Sequence, residues 1–176
     1  MKPEPQLIAN QIYDMLDAWL IATTLDQAKD FKKHFPYLAN DMVYTYRLSY
    51  CTLLCKLIDP AVHSDHRNLC FDSEINSIRS RERKARAQDL LKRIRQISAG
   101  YRTVRNKIGS HSSRQVMRSH RINATPTIQK TEQINDLIVE LYELVFKSVF
   151  PSPPAQTPND LSAFLSVLHS NHLPQR

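Results

Sequence analysis

Only two glycines, Gly100 and Gly109, occur in 176 residues. Sheet proteins draw on glycine for their tight turns, and few segments of this chain alternate apolar and polar residues with period two. Both facts point to an all-α fold. The length suits one domain, or one domain with a tail, and can bury a core without staples.

The apolar pattern and the prolines divide the chain into helices. Residues 5–24 repeat Ile8, Ile12, Met15, Leu16, Trp19, Leu20 and Thr23 at helical spacing. The polar stretch from Asp26 to His34 either extends this helix or turns the chain. Pro36 suits the first turn of a second helix, with Leu38, Met42, Tyr46, Tyr50, Leu53, Leu54 and Leu57 as its stripe. Asp59-Pro60 stops it, because proline disfavours helix in the residue before it. A polar loop over 59–70 follows, then a short helix capped by Asp72 or Ser73 and carrying Ile75 and Ile78. Residues 82–108 read as one long basic helix with Leu90, Ile94, Ile97, Tyr101, Val104 and Ile108 on its apolar side. Residues 109–125 read as a loop. Thr125-Pro126 predicts the start of a helix to about Phe150, with Ile134, Leu137, Ile138, Leu141, Leu144 and Val145 inward. Pro151, Pro153, Pro154 and Pro158 then form a linker to a last short helix with Leu161, Phe164, Leu165 and Leu168. The expected organisation is a helical bundle over 1–150 and a proline-rich linker with a short helix over 151–176.

Charge is concentrated. Fourteen Lys/Arg lie between Arg79 and Arg121 with only Glu82 and Asp89 as acids, a local excess of +12. Against a chain total of +7, the remainder carries −5. A basic block in a near-neutral scaffold points to a polyanion, most simply nucleic acid; a solvated helix face is the plain alternative. Three cysteines, Cys51, Cys55 and Cys70, fit a reduced, cytoplasmic setting. Met-Lys-Pro-Glu-Pro does not read as a signal peptide, and no apolar run reaches the roughly 18 residues of a membrane span. His63, His66 and Cys70 have a spacing open to a metal, but no fourth ligand is near and no paired CxxC is present. No cofactor or metal is expected.

The stretch Arg105-Asn106-Lys107-Ile108-Gly109-Ser110-His111 carries the chemistry. Metal-free RNA cleavage must deprotonate the 2′-hydroxyl, stabilise the phosphorane and protonate the leaving oxygen. A histidine serves for proton transfer near neutral pH, an arginine forks onto phosphate oxygens, and an asparagine orients either by hydrogen bonds. On one ideal helix Arg105 and His111 would point roughly 120° apart. Gly109 is therefore the residue to end the helix and turn His111 back, or else two copies face each other across a dimer. Spacing alone is weak. An arginine five to seven residues before a histidine is expected about 1.7 times by chance in this composition, and Arg114–His120 is a second instance without the asparagine.

Arg-Asn-Lys-x-x-x-His closing a helix resembles the signature of the HEPN superfamily. The upstream text, a tyrosine-rich helix ending in Leu57-Ile58-Asp59-Pro60, a polar loop and a short helix near Leu69–Ile78, resembles its abortive-infection U-type branch over roughly residues 5–150. The resemblance implies an up-and-down bundle of four to five helices, and a homodimer with the motifs facing across the interface. It also implies a metal-independent endoribonuclease acting in phage defence, a toxin–antitoxin system or RNA processing, with an antitoxin or defence protein as a further partner. Arg105 and His111 correspond to the catalytic pair and Asn106 to its polar companion. Lys107 matches family usage as a phosphate contact, and Arg102 and Arg114 are further candidates for RNA. Ser110 stands where alanine is common. Ser113 stands where nucleotidyltransferase-partnered members carry tyrosine, which points away from that group. Competing expectations are a non-catalytic nucleic-acid or nucleotide-binding module and a helical interaction protein. In the plain reading, Arg105 merely pairs with an acid on a neighbouring helix, such as Asp136 or Glu140.

Overall fold

The computed structural model describes residues 5–60, 62–63, 66–67, 69–109 and 127–152, with backbone alone described at 62–63, 66–67 and 107–109. Among the described residues the fold is all-α apart from one two-residue antiparallel ladder. In chain order it comprises α1 (Pro5–Gln27), α2 (Lys29–His34), α3 (Pro36–Ile58), β1 (Val62–His63), β2 (His66–Arg67), α4 (Phe71–Asn76), α5 (Arg81–Ile97), α6 (Ala99–Gly109) and α7 (Ile128–Phe146). The two short strands form a minimal antiparallel ladder, Val62 opposite Arg67 and His63 opposite His66, inside the polar loop.

Helix α1 lies along α3, α5 against α7, and α6 against α3. The main core joins Ile8, Ile12, Met15 and Trp19 of α1 to Tyr50, Leu54 and Leu57 of α3, Ile94 of α5, Tyr101 of α6 and Ile134 and Leu141 of α7. Ala9, Ala18 and Ala22 are also buried on α1, and such short side chains let neighbouring helices come close. Two buried hydroxyls tie the layers. Tyr50 Oη donates to Asn135 Oδ1 at 2.9 Å and Tyr101 Oη lies 3.0 Å from Thr131 Oγ1, so burying these phenols leaves no polar atom orphaned.

The boundaries expected at α1 and α3 hold to within a turn. Proline opens α3 in its first turn, and Asp59, extended at φ −66° and ψ 154° ahead of Pro60, ends it. Of the two alternatives for the polar stretch after Asp26, the chain takes the turn, with α1 running on only to Gln27. It turns at Ala28 and then forms α2, whose Phe31 closes a second small core with Leu25, Ala39 and Val43. Asp26 anchors this corner by accepting from Lys32 and, at 2.9 Å, from Arg47.

That second core corrects the expected face of α3. Leu38 is exposed and Met42 and Tyr46 are only half-buried, whereas Ala39 and Val43 point inward. Space beside Phe31 and Leu25 is tight, and the smaller side chains fill it. On α1, likewise, Leu20 faces solvent and Leu25 is buried.

A second correction concerns the basic helix, which is two helices. Ser98 ends α5 with its own N–H and its hydroxyl both donating to Ile94 O, at 2.9 and 2.7 Å. It sits at φ −87° and ψ 5° before α6 resumes at Ala99. A buried serine that bonds back to the preceding turn competes with the helix ladder. The inward line is Ala87, Leu91, Ile94, Ser98, Tyr101 and Val104, with Leu90 and Ile97 at its margin. The cap expectations also shift. Thr127, not Thr125, caps α7 by accepting from Lys130 N at 3.3 Å. Neither Asp72 nor Ser73 caps α4; Ser73 Oγ donates to Cys70 O, and Asp72 turns to Arg95.

After α7, Lys147 takes the left-handed conformation (φ 55°) as C-cap. The chain then returns to α1, where Tyr13 Oη donates to Pro151 O and the Tyr13 and Phe150 rings pack with centroids 5.0 Å apart, tilted by 47°. Ile94 is fully enclosed between these layers. Ile94→Ala is expected to lower unfolding free energy by about 2–5 kcal/mol, read as a lower urea midpoint with an unchanged slope.

Candidate functional site

The carboxyl end of α3 gathers three arginines. A helix end carries unpaired carbonyls and partial negative charge, and α5 and α6 meet it with cations. Arg95, in the last turn of α5, donates through Nε to Ile58 O at 2.7 Å and through Nη2 to Asp72 Oδ1 at 3.2 Å. Arg102 and Arg105, three apart on α6 and so on one face, both reach Asp59. Arg102 Nη2 lies 2.8 Å from Asp59 Oδ1, and Arg105 Nη1 lies 2.5 Å from Asp59 Oδ2. One carboxylate thus bridges two guanidiniums, using both of its oxygens and one amino group from each arginine.

The bridge is half-sheltered. Side-chain exposure is 19% for Asp59, 29% for Arg105 and 43% for Arg102. The Asp59 hydrogen bond raises the affinity of Arg105 for its proton further above the ordinary arginine value, outweighing the opposing effect of burial. Arg105 Nε donates to Asn106 Oδ1 at 3.0 Å, so the residue following it in sequence fixes the second edge of its guanidinium. Arg95, Arg102 and Arg105 against Asp59 and Asp72 leave one positive charge in surplus.

Cys55 lies beneath the bridge, fully enclosed. Burial raises its pKa more than the nearby Arg105 lowers it, and Cys51 is pushed up to about 12 by desolvation. Both stay protonated at neutral pH, which removes them as nucleophiles. Among the described residues no group of three side chains could hold a metal. Cys70 is buried, and the side chains of His63 and His66 lie outside the description.

Of the residues singled out in the sequence, the structure brings together Arg102, Arg105 and Asn106. Lys107 is on α6 in backbone only, and His111 and Arg114 lie outside the described residues, as does any turn after Gly109. Arg105 does pair with an acid of a neighbouring helix, as the plain reading expects, and that acid is Asp59; Asp136 and Glu140 are exposed on α7, where Glu140 lines a hollow with Arg86, Asp89, Leu90 and Arg93 of α5. The sequence showed Asp59-Pro60 as a helix stop and as part of the upstream resemblance, but not Asp59, Asp72 and Arg95 as parts of the cluster. The available signal was an acid at a helix end in a chain whose basic block needs a counter-charge.

Among the described residues, no helix is long and apolar enough to cross a membrane. No family model, curated relative or solved structure matches the chain.

Proposed function

We propose that this protein is a metal-independent endoribonuclease of HEPN type, in which Arg105 stabilises the phosphorane and His111 transfers the proton. The observation that carries this reading is the held arginine pair. Arg105 keeps its place through Asp59 and Asn106, Arg102 stands beside it against Asp59 and Cys55, and in this reading the guanidinium N–H groups outside those contacts take phosphate oxygens. His111 is two residues past Gly109, so covalent reach allows its Cα about 7 Å from the last described turn of α6. A second copy of the chain, with its own motif facing the first, completes the cleft in this reading. Lys107 and Arg114 extend the contact along the RNA backbone.

The proposed reaction is attack of the ribose 2′-hydroxyl on the adjacent phosphorus. The P–O5′ bond breaks, leaving a 2′,3′-cyclic phosphate and a 5′-hydroxyl. The proton leaves the 2′-oxygen and another reaches the 5′-oxygen, with His111 serving one of these transfers. A role in phage defence or a toxin–antitoxin pair follows as part of the same proposal.

Purified full-length protein with single-stranded RNA and excess EDTA tests it. Cleavage is expected to persist and to yield cyclic-phosphate ends. Dependence on a divalent cation, or ends bearing a 3′-hydroxyl, would overturn the mechanism.

A further inference from the structure

We infer that Asp59 is a positioning residue, which holds Arg102 and Arg105 together as a two-arginine phosphate clamp and does not occupy the place of the phosphate. The inference rests on the reading of this site as an RNA-binding one.

The geometry supplies the reasons. Two guanidiniums on one helix face repel each other, and long side chains lose rotamer freedom when fixed. A single carboxylate bridging Nη2 of Arg102 and Nη1 of Arg105 offsets both effects. It cannot neutralise the pair, because one negative charge faces two positive ones. It also cannot exhaust their donors, since each guanidinium has five N–H groups. Among the described residues, Arg102 gives one amino group to Asp59 and also meets the Cys55 thiol, and Arg105 gives one amino group and Nε.

The carboxylate is itself fixed. Asp59 N donates to Cys55 O at 2.8 Å, and Pro60 holds Asp59 extended. Arg95 clamps the preceding carbonyl of Ile58 and the α4 carboxylate of Asp72. The acid is therefore the fixed point, and the arginines are the side chains it places. Arg102 is the most exposed of the three bridge partners, at 43% of its side chain.

The sign of one substitution separates this from plain electrostatics. Removing a negative charge from a basic site strengthens its attraction for a polyanion. Loss of positioning weakens it. Binding is measured with single-stranded 2′-O-methyl RNA, which carries no attacking hydroxyl, on full-length protein. Asp59→Asn is expected to weaken binding roughly 10- to 100-fold, and Asp59→Glu to recover most of the loss. In an Arg102→Ala/Arg105→Ala background, Asp59→Asn should cost nothing more. Equal or tighter binding by Asp59→Asn would overturn the inference, and so would an equal loss in the double-arginine background.

Should Asp59→Asn fail to fold, the wild-type protein still decides. Slow rotation of the Arg102 and Arg105 guanidiniums by NMR supports the bridge, and free averaging of both refutes it. A wild-type protein that binds but never cleaves RNA ends the nuclease reading and leaves the clamp standing. Cleaving protein indifferent to Asp59→Asn ends only the clamp.

Discussion

His111→Ala is expected to lower the RNA cleavage rate by about 10²–10⁴-fold, with thermal unfolding unchanged. The expectation follows from the chemistry rather than from a contact. A 2′-hydroxyl is a poor nucleophile until its proton leaves, and the 5′-alkoxide is a poor leaving group until one arrives. A histidine is the side chain whose ordinary pKa suits both at neutral pH. The natural control is His120→Ala, six residues after Arg114 as His111 is after Arg105, which should leave cleavage as it was. Cleavage by His111→Ala at the wild-type rate would remove the histidine from the mechanism.

Arg105→Lys is expected to reduce kcat by about 10²–10³-fold, and to weaken RNA binding no more than Asp59→Asn does. Lysine keeps the charge, so long-range attraction survives. It lacks the planar fork that in Arg105 aims Nη1 at Asp59 and Nε at Asn106, at 2.5 and 3.0 Å. The developing phosphorane charge needs donors already in place, which is where guanidinium and ammonium differ most. A kcat within a few-fold of wild type would show that Arg105 supplies charge alone. The two variants complement Asp59→Asn, whose main effect should appear in binding.

Much of the helical layout was legible because it is locally encoded. Pro36 and Pro60 bracket α3 by backbone sterics that need no partner. The apolar spacing of α7 found five of its buried positions, Ile134, Leu137, Ile138, Leu141 and Val145. The faces of α1 and α3 were less legible. Leu20 and Leu38 are large apolar residues at helical spacing, yet both are exposed while Ala22 and Ala39 are buried. Spacing identifies a stripe, but close packing against α2 chooses the residue that fits. The joint at Ser98 was hidden for a related reason, since Tyr101 and Val104 continue the period across it. Ser98 bonds back to Ile94 O, but Ser49 bonds back to Thr45 O without interrupting α3, so the residue type alone did not mark the joint.

The candidate site divides along the same line. Arg105 and Asn106 are adjacent in sequence, and the local bond between them needs nothing but the helix and their side chains. Asp59 is 46 residues from Arg105, and only the packing of α6 against the end of α3 brings them together. By itself, then, the sequence determined an all-helical chain, the two prolines around α3 and a basic block holding the Arg105 motif, because propensity, proline sterics and charge are properties of neighbours along the chain. The tertiary structure alone decided that two of those arginines share one fixed carboxylate and that α5 and α6 part at Ser98, because helix packing and the pairing of distant charges depend on which surfaces meet.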